Sequence, residues 1–237
     1  MHLTRVTITG ADGSINPDDL FPIAQQYPFV EWGILLSQNS EGAPRFPSFE
    51  WQKRLAMLNS ESRLTLSGHL CGRWVRDLVD GVSTYFEARA GVSTMFDRFQ
   101  LNFHASRHHI SLTGVEALRQ HLRSRQVILQ YDGENNGHAE RLRLQGIDAV
   151  PLFDLSGGAG VLPGSWPAAI PPYSGYAGGL SPDNLEEQLQ FIDQVCGDVP
   201  IWIDVETHVR SNFDQLFDLE KVKRFLSIAA RWVDTTA

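Results

Sequence analysis

Eight short β-rich runs punctuate the chain about 22–35 residues apart, and a helix-patterned stretch follows most of them. The runs are Leu3 to Thr9, Phe29 to Ser37, Arg63 to His69, Arg98 to Phe103, Gln126 to Tyr131, Asp148 to Asp154, Tyr173 to Ala177 and Pro200 to Val205. Strands that alternate with helices are buried best in a parallel sheet whose outer face the helices cover. Eight such units in 237 residues match a closed (β/α)8 barrel, whose usual length is about 250 residues. The expectation is therefore one α/β domain, a single (β/α)8 TIM barrel over residues 1–237. An open doubly wound sheet fits less well. It more often carries roughly five to seven strands and an early Gly-rich turn, whereas the Gly-rich turns here follow runs six and seven.

The helical stretches are Asp18 to Gln26, Ser48 to Leu58, Trp74 to Val79, Val115 to Ser124, His138 to Gln145 and Asp218 to Val233. Another opens at Ser181-Pro182, read as N-cap and first helical position. The helix after run six is nearly absent, because Trp166 and Pro172 stand only a few residues apart.

Hydrophobic residues make up 42% of the chain and charged residues 20%, enough for a full core and too apolar for disorder. A net charge of −8 argues against a nucleic-acid partner. No apolar stretch is long enough to span a bilayer and no secretory leader opens the sequence. Cys71 and Cys196 form neither a disulfide framework nor a paired metal motif. A cytoplasmic protein with reduced thiols, no membrane partner and no cofactor is expected, with homo-oligomerisation left open.

Side chains alternate along a strand. Val6 and Ile8 oppose Thr7 and Thr9; Leu64, Leu66 and Leu70 oppose Thr65, Ser67, His69 and Cys71; Phe99 and Leu101 oppose Gln100 and Asn102. Ile201, Ile203 and Val205 oppose Trp202, Asp204 and Glu206. With the apolar parity turned toward the helices, the C-terminal strand ends present Thr9, Ser37, His69, Asn102, Gln130, Asp154 and Asp204 to the barrel interior. Barrel active sites sit at that end. His69, Asn102, Gln130 and Asp204 are thus candidate substrate-binding residues. A Zn²⁺ set of His69, Cys71, His104 and Asp132 lacks standard spacing, so no metal is expected.

Ser156-Gly157-Gly158-Ala159-Gly160 follows the strand ending in Asp154, and Ala177-Gly178-Gly179-Leu180 follows run seven. Successive glycines let backbone N–H groups converge on an anion, and helix N-termini favour phosphate. Gly158, Gly160, Gly178 and Gly179 are the candidate phosphate contacts, and a small phosphorylated substrate is the expected partner.

These residues carry a resemblance. Ala177-Gly178-Gly179-Leu180-Ser181-Pro182-Asp183-Asn184-Leu185 resembles the AGGLxPxNV segment of the phosphoribosylanthranilate isomerase family. Asp154 with Gly157-Gly158-Ala159-Gly160 and Trp166 is similar to that family's D…GGTGxxxxW, and Ile203-Asp204-Val205-Glu206 with Asp218-Leu219-Glu220-Lys221-Val222 resembles its last strand and helix. Thr7-Ile8-Thr9-Gly10 stands where the family has K-I-C-G, and Arg45 after Ser40 resembles its SxR segment. The resemblance is clear over residues 148–226 and thin before them.

The resemblance implies an Amadori-type isomerisation of a phosphorylated sugar, with a general acid on the ring oxygen and a general base on the neighbouring carbon. It puts Asp154 in the acid role, Arg45 on a substrate carboxylate and the glycines around the phosphate. Thr9 occupies the position of the family's basic cysteine, and its hydroxyl is too weak an acid for that role unaided. Cys71, if its pKa is lowered, and Glu206 are the replacement bases with inward parity. Val161 replaces the Lys of GTGK, Thr207-His208 replace a small Ser-Gly pair, and Gln100-Leu101-Asn102-Phe103 replace Q-L-H-G. A lyase- or aldolase-like reaction on a sugar phosphate, or a non-catalytic phosphometabolite-binding protein, stands beside the isomerase reading.

Overall fold

The computed structural model describes residues 1–61, 63–102, 110–122, 125–131, 137–154 and 159–234. Eight parallel strands close into a barrel in sequence order: β1 (His2–Thr9), β2 (Val30–Leu36), β3 (Thr65–Leu70), β4 (Arg98–Leu101), β5 (Gln126–Tyr131), β6 (Ala149–Phe153), β7 (Ser174–Tyr176) and β8 (Pro200–Val205). Closure is made by β1 on β8, with Thr7 opposite Asp204 and Ile8 opposite Val205.

The helices are α1 (Leu20–Gln26), α2 (Phe49–Leu58), α3 (Arg73–Val79), α4 (Thr84–Ala88), α5 (Ala90–Ser93), α6 (Leu112–Leu122), α7 (His138–Leu144), α8 (Leu185–Cys196) and α9 (Leu219–Ala229). Ser48 and Asp218 cap α2 and α9: Ser48 Oγ accepts from Trp51 N, and Asp218 accepts from Glu220 N and Lys221 N. α9 presents Val222, Phe225, Leu226 and Ala229 inward at helical spacing. α8 begins three residues later than the Ser181-Pro182 reading, with Asn184 at the N-cap. Ser181 Oγ instead accepts from Asp183 N and Asn184 N, closing a turn ahead of the helix. Among the described residues no helix joins β6 to β7. A short hairpin unmarked in the sequence pattern, β9 (Arg210–Ser211) with β10 (Leu216–Phe217), follows β8.

The apolar parity does face the helices. Val6, Ile8, Leu66, Phe99, Leu101, Val127, Ile201 and Ile203 join the large core between sheet and helices. A second, smaller apolar cluster of Ile128, Val150, Leu152, Ala177 and Trp202 fills the interior beside β5 to β8. The interior beside β1 to β4 is polar. There Glu31, fully buried, accepts from Thr7 Oγ1 at 2.8 Å, Arg5 Nη1 at 3.0 Å and Arg98 Nη2 at 2.6 Å. The Arg98 guanidinium lies 4.5 Å from the Trp202 ring, so Trp202 fills the barrel and shields the ion pair. Among the described residues no helix is long and apolar enough to cross a membrane.

Candidate functional site

A small cavity of about 50 Å³ opens at the C-terminal end of the barrel. Asp154, just past β6, and Asp204, near the end of β8, both line it, together with His69, Gln100, Gly160, Gly178, Gly179 and Glu206. Strand parity and strand ends explain the convergence, since each of the strand-borne residues is an inward position close to a C-terminal strand end.

Thr9 is buried on β1 and its Oγ1 donates to Asp204 Oδ1 at 2.8 Å. Burial holds the Asp204 carboxyl well above the ordinary aspartate value, and the Thr9 hydrogen bond only partly offsets this. The nearby Glu206 and Glu31 charges add to the rise. The shift favours the protonated form of Asp204. Asp154 accepts from Gln130 Nε2 at 3.0 Å, which fixes one of its oxygens. Gly33 faces Thr9 across the β1–β2 pair, and its lack of a side chain makes the room that Thr9 and His69 share.

Cys71 and Asn102 lie at the ends of neighbouring strands. Asn102 Nδ2 donates to Cys71 Sγ at 3.2 Å, and the Cys71 thiol donates to His69 O at 3.5 Å. The lowered pKa that a Cys71 base requires is not found: burial pushes the thiol up to about 12. Cys71 is thus a hydrogen-bonding thiol at neutral pH. His69 is neutral too, because burial and the nearby Arg98 charge hold its imidazole down at about 3.

Arg45 is not left open for a substrate carboxylate in this structure. Its Nη1 donates to Glu206 Oε1 at 2.5 Å and its Nε to Asp214 Oδ2 at 2.6 Å, while its backbone N donates to Asp12 Oδ2. Glu206 is correspondingly tied to Arg45; burial still raises its carboxyl above the ordinary value. Behind them Arg210, buried on β9, donates to Asp12 Oδ2 at 2.6 Å and Gly10 O at 2.5 Å. This lattice binds the loop after β1, the loop after β2 and the hairpin after β8 into one rim.

Of the glycine turns, Gly158 lies outside the described residues, as do His104 and Asp132. Gly178 and Gly179 adopt left-handed backbone, and a side chain on Gly179 would overlap the Leu162 backbone. Gly160 packs against Thr207, and the His208 ring is hydrogen-bonded to Gly160 O at 2.9 Å. Part of the glycine pattern thus serves to lay segment 160–162 on the turn after β7 and on the loop after β8.

The pattern reading missed Glu31, Arg98, Asp12, Arg210 and Asp214. A usable signal existed for the first: Glu31 is the lone charge inside the apolar run Phe29 to Leu36 and shares the inward parity of Gly33.

No protein-family profile and no curated protein matches the chain. Solved structures do. A phosphoribosyl anthranilate isomerase from Thermotoga maritima matches 97% of this chain over 100% of its own, with TM-score 0.61 and 17% identity. A phospho-2-dehydro-3-deoxyheptonate aldolase from the same organism matches 98% of this chain over 68% of its own, with TM-score 0.58 and 11% identity. At these identities the likeness is one of fold. The chain is a (β/α)8 barrel of the shape that these enzymes share.

Proposed function

We propose that this barrel is an acid–base isomerase of a small phosphorylated sugar. The observation that carries the reading is the pair of carboxyls, Asp154 and Asp204, lining one cavity with Gly160, Gly178 and Gly179. Asp204, whose protonated form burial favours, gives its proton to the sugar oxygen. Asp154, steadied by Gln130, takes the proton from the neighbouring carbon. This reverses the assignment drawn from the resemblance, in which Asp154 is the acid. Gly160, Gly178 and Gly179 supply N–H groups for the phosphate.

Arg45 bears on the substrate. Its guanidinium already faces Glu206 and Asp214, which favours a sugar phosphate without an aromatic carboxylate over phosphoribosylanthranilate itself. The test is hydrogen exchange. In D₂O the wild type should wash deuterium into the carbon beside the carbonyl of phosphorylated aldoses such as ribose 5-phosphate, followed by NMR. Asp154→Asn and Asp204→Asn should each slow the exchange at least about 100-fold, the low end for loss of a general acid or base. Exchange that survives both substitutions, or a wild type with no exchange on any phosphorylated aldose, rules the reading out. Rescue of a tryptophan auxotroph lacking its isomerase reports separately on phosphoribosylanthranilate as substrate.

A further inference from the structure

Two buried polar atoms line the cavity on adjacent strands and have no hydrogen-bond partner among the described residues. They are His69 Nε2 and Gln100 Oε1, on residues that are 1% and 7% exposed. His69 stands directly opposite Gln100 in the β3–β4 register. A buried polar atom left unpaired costs about 1–3 kcal/mol, so two of them side by side in a cavity call for a ligand group that completes them.

The neighbouring side chains fix what that group is. Gln100 Nε2 donates to Asn102 Oδ1 at 2.8 Å, and Asn102 in turn donates to Cys71 Sγ. That chain holds the Gln100 amide with its donor side occupied and its acceptor side bare. Arg98, the cation nearest below in the barrel, is already shared with Glu31, and Asp204 lines the same cavity. Among the described residues an anion therefore has no free cation to meet at this depth, whereas a hydroxyl group both gives and accepts a hydrogen bond.

We propose that His69 Nε2 and Gln100 Oε1 form a floor that recognises a neutral hydroxyl of a polyhydroxylated ligand, which enters with its hydroxylated end deepest. The hydroxyl donates to Gln100 Oε1 and pairs with the ring nitrogen of His69. The imidazole is neutral at physiological pH, as a hydroxyl partner requires. Asn102 and Cys71 act as positioning residues through Gln100. As applied to a phosphorylated substrate, this rests on the isomerase reading above and orders that substrate along the cavity: hydroxyls at the floor, phosphate at the glycine turns.

The experiment measures calorimetric binding of ribitol 5-phosphate and of n-pentyl phosphate, which has no hydroxyl. Ribitol and 1,2-dimethoxyethane, which has none either, serve as the neutral pair. Wild type should prefer each polyol at least tenfold over its hydroxyl-free counterpart. Gln100→Met and His69→Phe, both close in volume, should reduce the preference to within about twofold. Asn102→Leu, at a partly exposed position that folding tolerates better, should also weaken it by releasing the Gln100 amide. No preference in the wild type overturns the inference whatever the variants do, and so does a preference kept by all three variants when folded. If ribitol is preferred over 1,2-dimethoxyethane while the phosphates add nothing, the floor stands and the phosphorylated-substrate reading falls.

Discussion

A methyl group at position 33 would overlap Thr9 Oγ1 and stand 2.9 Å from His69 Cε1. The absence of one carbon thus sets where two of the candidate site's side chains lie. Thr9 uses that room to reach Asp204, and His69 uses it to sit fully buried at the cavity. Gly33→Ala must push one or both aside, and overpacking in a tight interior typically costs 1–3 kcal/mol. The expected outcome is a lowered urea midpoint with an unchanged slope, and loss of the Thr9–Asp204 hydrogen bond. Deuterium exchange into the substrate should fall with it. An alanine variant as stable and as active as the wild type would mean that the interior relaxes freely at this point.

The strands were readable because a parallel barrel imposes one pattern eight times: a short run, an inward polar parity and an outward apolar one. β5 and β8 coincide with their expected runs, and the others differ at their ends by a few residues. Asp154, Asp204, His69 and Gln130 reach the cavity region for the same reason, since parity and a strand end are enough to place them. What the pattern did not carry lies in the loops. Arg45, Asp12, Arg210 and Asp214 meet because the hairpin β9–β10 folds over the loop after β1, a contact between residues about 200 apart that no local periodicity records. The motif match at Arg45 located the residue and not its partners. The hairpin's hold is also testable. Arg210→Leu strips the guanidinium from Asp12, a carboxylate that is only 3% exposed. Breaking a buried ion pair from one side costs about 3 kcal/mol or more, and the hairpin should become protease-sensitive. Asp214→Ala removes an acid that is more than a third exposed, and its cost should stay within about 1 kcal/mol.

Across the whole molecule, the polar half of the barrel interior makes stability a function of pH through groups that pull in opposite directions. Asp204 is raised by burial, so just above 3.8 the unfolded chain has released its proton while the folded chain still holds it. Folded protein binds more protons there, and stability falls as pH rises. Glu206, raised by burial against the pull of Arg45, adds to that fall. His69 acts in the other sense. Its folded value near 3 lies below the ordinary 6.5, so its contribution is present above 6.5 and is lost as pH falls toward 3. Glu31 behaves likewise at more acid pH: burial would raise it, but Arg98 and Arg5 hold it below 4.5, and its contribution is lost as pH falls through its folded value. One proton of difference changes stability by about 1.4 kcal/mol per pH unit. Above about pH 4, as far as the lower of 6.5 and the folded value of Asp204, the aspartate and histidine slopes oppose each other. The wild type should therefore show a shallow profile in that span. Asp204→Asn keeps an acceptor for Thr9, removes the Asp204 share of the falling limb and leaves the histidine rise, so it should be more stable than the wild type at pH 7 while losing proton transfer. His69→Phe should do the reverse, its stability declining as pH rises from about 4 toward the folded value of Asp204. Urea midpoints at half-unit pH steps decide the matter: an Asp204→Asn profile parallel to that of the wild type would show that the folded state holds Asp204 ionised, and the acid role assigned to it would fall.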